Sequence, residues 1–254
     1  MRIEVSKAIL LFLIVFLSWQ ILYLTASAYP SLYDNWLLAY LAILPVISCF
    51  FAIDRQGAQY LGLRRTGFWK RIVIIGLILA AVYQLYWIVL GGPIFSTMPV
   101  RFASHGILSI PYNFSLAITV GFVEETVFRG YILRNLSRVY SDAKAIIYSS
   151  ILFGVYHISP VLALTSTTTA LDTVAYWTLY ALAAVLVGLF LGLFYMSSQK
   201  TTVGTITYHS FSIFFESLVP FTLATSLIVG HLLSTTVYFL FVPIMIALNR
   251  RHVI

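Results

Sequence analysis

Eight apolar stretches recur along this chain, near residues 8–28, 35–53, 72–90, 107–128, 145–159, 173–196, 203–219 and 227–248. A helix needs about 20 such residues to cross a bilayer. In lipid each backbone N–H and C=O must be satisfied inside the protein, and a helix does this within one segment. Only 9% of the 254 residues are charged and 61% are hydrophobic. A soluble domain carries roughly 25% charged residues and could not cover its surface with so few. The expected fold is an all-α polytopic membrane protein, a bundle of about eight transmembrane helices. Residues 1–254 form a single transmembrane domain, with no room for a separate soluble one.

The connections between the stretches are not alike. Arg2 and Lys7 precede the first, and Arg55, Arg64, Arg65, Lys70 and Arg71 lie between the second and third. Arg129, Arg134, Arg138 and Lys144 follow the fourth, Lys200 the sixth, and Arg250 and Arg251 the eighth. The alternate connections hold only Arg101, so with eight spans 14 of the 15 Lys and Arg fall on one side. The positive-inside rule then places both termini in the cytoplasm. The net charge of +7 is therefore a topology signal and not a nucleic-acid surface. The first stretch, ending Ala26-Ser27-Ala28, is long for a signal peptide and reads as a retained span. Gly188 and Gly192 form a GxxxG, read as close helix packing within the bundle. Cys49, the one cysteine, permits no intrachain disulfide and reads as inert packing.

Against this background two adjacent carboxylates stand out. Glu124 and Glu125 lie in the apolar run Phe114–Phe128, with Arg129 following. A charge at the bilayer centre costs about 2.5 kcal/mol or more on insertion scales, so such residues are rare and mark function by default. On a helix Glu125 and Arg129 are i,i+4 and share a face, in the favourable order. Glu124 points about 100° away, with no partner on its own helix. The division of labour that follows is a structural Glu125–Arg129 pair and a Glu124 that faces the bundle interior. His157, in Phe153-Gly154-Val155-Tyr156-His157, and His209, in Thr205-Ile206-Thr207-Tyr208-His209, sit on later spans. At 1.5 Å per residue from the cytoplasmic edge, Glu124, His157 and His209 lie about 15, 20 and 13 Å deep. Three ionisable groups thus share one slab of the inner half-membrane, where a carboxylate and imidazoles can activate water. His105 and His231 fall near the opposite side.

Glu-Glu-x-x-x-Arg, then Phe-x-x-x-His, then a histidine on the seventh span resembles the CAAX-protease and bacteriocin-processing (CPBP) family. Its members are intramembrane proteases related to the type II CAAX prenyl endopeptidase. The resemblance covers about residues 115–220, the expected catalytic core. It implies an endopeptidase in which Glu124 and His157 activate water and His209 helps hold the oxyanion. Glu125, Arg129 and Phe153 would support them. It also implies a hydrophobic or prenylated peptide substrate cut near the cytosolic face, with the lipid bilayer as the other partner. The family's third motif is usually His-x-x-x-Asn, and here Ile213 takes the asparagine's place. One oxyanion donor can be worth about 2.7–4 kcal/mol. Ser212 and Glu216, on the same helical face as His209, are the candidates to compensate; Glu216 could instead pair with a histidine or Arg129.

Several alternatives stay open at this stage. A Glu124–His157 dyad can work without metal, or Glu124, His157 and His209 can be three ligands of a catalytic Zn²⁺ with an open fourth position. A non-proteolytic immunity or scaffolding protein on the same fold is the second reading, supported by the missing asparagine. A proton-coupled transporter using Glu124, Glu216 and the histidines is the third. There is no Gly-x-Ser-x-Gly, Gly-rich phosphate loop or His-Glu-x-x-His, which sets aside serine hydrolases, P-loop enzymes and zincins.

Overall fold

The computed structural model describes residues 3–28, 36–64, 66–91, 109–158, 170–218 and 236–246. Among these residues the chain is all helical. Helix α1 spans Ile3–Ala28 and α2 Trp36–Ile53. Helix α3 spans Trp69–Tyr86 and ends in a π-helical turn, Trp87–Gly91. Helix α4 runs Ser109–Glu125, continues as a π-helical segment Thr126–Leu133 and closes with one turn, Arg134–Leu136. Helix α5 is Asp142–Tyr156, α6 Ala170–Ser197, α7 Val203–Leu218 and α8 Thr236–Ile246. Each falls on one of the eight apolar stretches. By length and composition, segments of α1, α3 and α6 are apolar enough to cross a membrane. Helices α2 and α8 contain shorter apolar stretches.

The helices are apolar on two faces, which a water-soluble bundle would not tolerate. On α1, Ala8, Leu11, Phe12, Val15 and Trp19 are buried, while Leu10, Leu13, Leu17 and Ile21 are exposed on the other side. The buried set follows helical spacing and joins the core, so α1 is part of the bundle. On α3, Ile72, Gly76, Ala80 and Tyr83 are buried. Its exposed residues, Ile74, Ile78, Val82 and Leu85, are equally apolar. Cys49 is exposed too, on α2.

Two buried clusters organise the interior. One gathers residues of α1, α2, α4 and α5 around Phe128, Tyr131, Phe153 and Tyr156. The other gathers α3, α6, α7 and α8 around Phe190, Phe194, Tyr208 and Tyr238. Helix α7 joins them, because it packs on both α3 and α4. The GxxxG glycines serve the α5–α6 contact: a Cβ at Gly188 would come within 2.9 Å of Ser150, and one at Gly192 within 2.9 Å of Ile146. Small residues at such a seam let backbones close on each other in a lipid setting.

At the end of the bundle where α2 and the π-helical segment of α4 meet, the turn after α2 is tied down. Asp54 accepts hydrogen bonds from Lys7 and, at 2.6 Å, from the Tyr131 hydroxyl. Tyr60 donates to Asn135 at 3.0 Å, and the guanidinium groups of Arg134 and Arg138 lie over its ring. Partial burial works to raise the Asp54 carboxyl, but the bonds from Lys7 and Tyr131 outweigh it and hold the group below its ordinary value. A carboxyl depressed in the folded state adds stability that is fully present above the unfolded value, about 3.9, and lost as pH falls through the folded one. Asp54→Asn should therefore cost about 1 kcal/mol in detergent. The gap in melting temperature between variant and wild type should be constant above pH 5 and shrink in more acid solution. A gap that widened on acidification would contradict the assignment.

Candidate active site

Glu124 and Glu125 occupy the last turn of α4 before its π-helical segment. All eight residues of that segment, Thr126–Leu133, are buried. π-Helical turns inside longer helices occur often at functional sites. One carbonyl there, that of Phe128, accepts a hydrogen bond from Ser149 on α5 at 3.1 Å. Gly130 lets the segment press against the Leu61 carbonyl, where a side chain would collide. The helix is thereby held from two sides where it carries its carboxylates.

Glu125 is completely buried and makes the pair with Arg129 that the spacing predicts, at 2.8 Å. The guanidinium is also buried; it lies 4.3 Å from the centre of the Phe153 ring, and its second nitrogen reaches the Gly188 carbonyl at 3.4 Å. The spacing did not predict a second bond to the same carboxylate. His209 Nδ1 lies 2.9 Å from Glu125 Oε1, the oxygen that also receives Arg129. Glu125 therefore does more than brace a helix end: it orients a site histidine on α7. Because a carboxylate only accepts, Nδ1 carries the proton, and Nε2 of His209 points away from Glu125.

His157 forms the C-terminal end of α5 and is set the same way. Its Nδ1 lies 2.8 Å from the Phe153 carbonyl, an acceptor, so Nδ1 holds the proton and Nε2 is turned outward. Both Nε2 atoms face one oxygen. Glu124 Oε2 is 3.8 Å from His157 Nε2 and 3.8 Å from His209 Nε2. These separations are too long for direct hydrogen bonds, and the oxygen, although buried, has no hydrogen-bond partner among the described residues. The other oxygen, Oε1, accepts a hydrogen bond of 2.7 Å from Tyr40 on α2. Glu124, His157 and His209 thus converge from three helices, as their common depth suggested.

The remaining candidates do not join them. The Ser212 hydroxyl donates to the His209 carbonyl of its own helix at 2.9 Å. Its one hydrogen is committed, so Ser212 is not a free oxyanion donor here. Glu216 takes a hydrogen bond from Tyr83 on α3 and makes no ion pair with a histidine or Arg129 among the described residues. Ile213 packs against the cluster that contains Val123, Phe153 and Tyr156, so it does lie on the site's side of α7. His105, His231 and the linker 159–169 lie outside the described residues. The sequence reading missed Tyr40, which is one of 17 tyrosines and stands in an apolar run without a motif. It also missed the Glu125–His209 bond, which spans 84 positions.

A fourth group could bridge the two imidazoles and Oε2. Among the described residues no group of three or more His, Cys, Asp or Glu is arranged to hold a metal ion.

Two carboxylates, two histidines and a buried arginine, held inside a helical bundle of membrane composition, define a candidate hydrolytic site within the membrane. Residues 106–215 match the family described as Type II CAAX prenyl endopeptidase Rce1-like. That stretch, under half of the chain, is similar to the CAAX proteases and contains Glu124, Glu125, Arg129, His157 and His209. No curated protein and no solved structure matches it.

The pairings predict different phenotypes for the two glutamates. Glu125→Gln leaves a buried guanidinium without its counter-charge, which costs about 3–5 kcal/mol, and releases His209. It should lower the melting temperature by many degrees together with any activity. Glu124→Gln keeps an acceptor for Tyr40 and should melt within a degree or two of wild type. Thermal melts of both in detergent decide this; equal melting temperatures would remove the distinction.

Proposed function

We propose that the protein is an intramembrane endopeptidase of the CAAX-protease type, cutting a hydrophobic or prenylated peptide near the cytosolic face. The observation that carries this reading is the convergence of two histidine Nε2 atoms on the unpartnered Oε2 of Glu124, each at 3.8 Å. A water between Oε2 and His157 Nε2 would hydrogen-bond to both. Glu124 takes its proton while the water oxygen attacks the scissile carbonyl carbon. The carbonyl's π electrons move to oxygen, and His209 supplies a hydrogen bond there when its Nε2 is protonated. Collapse of the oxyanion breaks the C–N bond, and Glu124 returns the proton to the leaving nitrogen. Acid and amine depart and the carboxylate is restored.

Electrostatics support the role given to His209. With both ring protons in place its imidazolium, the Arg129 guanidinium and the two glutamates sum to zero charge. A neutral set costs the bilayer interior least. Glu125 then stabilises the imidazolium as the acidic member of a Ser-His-Asp triad does. The reading gives His209 the duty that the family's asparagine shares elsewhere, since Ile213 offers no donor and Ser212 is committed.

The missing asparagine favours one rival, a protein that keeps the fold and the pair Glu124–His157 but binds a hydrophobic partner without cutting it. Cleavage of prenylated and unprenylated membrane peptides by purified protein in liposomes separates the two. The protease should cleave in the presence of a chelator and lose at least about a thousandfold with Glu124→Gln, the scale on which general-base and oxyanion groups contribute. Inhibition by chelator with recovery on adding Zn²⁺ would place a metal among the three residues. Ile213→Asn should raise turnover about tenfold or less, because one donor is already present. Activity that appears only in the Ile213→Asn variant would favour the binding protein.

A further inference from the structure

Glu124 is held by a residue that lies outside the family match. Tyr40 belongs to α2, whereas the match covers residues 106–215. Its hydroxyl donates to Glu124 Oε1 at 2.7 Å, in the range of a charge-assisted bond, and the bond is buried. Its ring is fixed independently, 5.0 Å from that of Trp19 on α1. Trp19 in turn lies 5.9 Å from the ring of Tyr156, the neighbour of His157. A carboxylate on a flexible side chain can rotate and exchange its oxygens. One bound oxygen and one free oxygen, with the free one 3.8 Å from both imidazoles, amount to a selected rotamer. Of the other donors nearby, Arg129 is bonded to Glu125, and the Tyr156 hydroxyl lies beside that of Tyr40.

We propose that Tyr40 is a positioning residue of the hydrolytic site. By occupying Oε1 it turns Oε2 toward His157 and His209 and leaves that oxygen as the one that takes a proton from water. The inference rests on the endopeptidase reading and adds to it a requirement for α2. The segment matched to the family would then not suffice for full activity.

Tyr40→Phe removes the hydroxyl and keeps the ring packing, so it tests the bond itself. Without the bond Oε2 spends less time facing the imidazoles, which acts on the chemical step. The expected result with a cleavable peptide in liposomes is a kcat lower by roughly 10- to 100-fold, the range for a hydrogen bond to a charged group. KM should stay within about twofold, because Tyr40 is not asked to touch the peptide. Tyr140→Phe, at an exposed tyrosine away from the site, should change neither constant. The full chain should also be labelled with ¹³C at glutamate carboxyls and the infrared band lost in Glu124→Gln compared between wild type and Tyr40→Phe. A shift of that band is expected, since one of its oxygens loses a donor. Wild-type kcat in Tyr40→Phe, or an unmoved band, overturns the role of Tyr40 while leaving the protease reading intact. A fall in kcat matched by an equal rise in KM overturns it as well, because it would make Tyr40 a binding residue. If the wild type cleaves no peptide of the panel, the protease reading fails and the inference falls with it.

Discussion

A guanidinium buried in hydrocarbon has to be neutralised where it stands. Arg129 is enclosed by protein and meets that demand with Glu125, the Phe153 ring and the Gly188 carbonyl. Those contacts come from α4, α5 and α6, and Glu125 reaches α7 through His209. Four helices are thus bound to one charge. Desolvation makes a buried pair a poor source of net stability but a strict one, since loss of one partner leaves the other unpaired. Nonpolar helices slide against each other at little cost in lipid. A buried pair that tolerates no shift fixes their register, and the register is what places Glu124 opposite the two imidazoles.

The two glutamates show how neighbouring residues of one type acquire different duties. Glu125 is saturated at one oxygen by two donors, one of them a permanent cation. Glu124 has a single neutral donor and an oxygen left unpaired in a buried place, a state that costs roughly 1–3 kcal/mol or more for a charged group. Buried polar atoms without partners are few in native structures. When one faces two imidazoles across a gap of one water's width, the natural explanation is a ligand that the site receives during its work. Glu125 Oε2 is unpaired as well among the described residues, so what marks Glu124 as the chemical glutamate is that its unpaired oxygen faces the two imidazoles.

Much of this was legible in the sequence for identifiable reasons. Helix positions followed from apolar runs, because in lipid every span must satisfy its own backbone. The Glu125–Arg129 pair followed from spacing on one helix. Convergence of Glu124, His157 and His209 followed from depth, since ionisable groups at one level of a bundle can only face inward. Contacts between distant elements were not legible. Tyr40 carries no local signal, and a bond such as Glu125–His209 depends on how α4 and α7 rotate about their axes. Face and proximity make Ser212 a candidate donor, but they do not reveal the competing acceptor one turn away, the His209 carbonyl. Serine inside a helix commonly bonds back to its own backbone, and that habit outranked the site. The π-helical segment was invisible too: Thr126–Leu133 reads as an ordinary helix, and its geometry reflects packing against Leu61 and Ser149.

The limits of the family match bear on how such a site is assembled. The matched stretch contains the ionisable groups of the proposed chemistry, yet it does not contain the environment that tunes them. Helix α2 supplies Tyr40 beside Glu124, α1 supplies Trp19 beside Tyr40, and the turn after α2 supplies Asp54 as the acceptor for Tyr131. Residues that must take or give a proton are restricted to a few side-chain types and spacings, so they leave a recognisable pattern. A residue that only has to donate to one carboxylate oxygen can come from any helix that passes close enough. The reacting groups are then the part of the site that a motif records, and the groups that orient them are the part that only packing reveals.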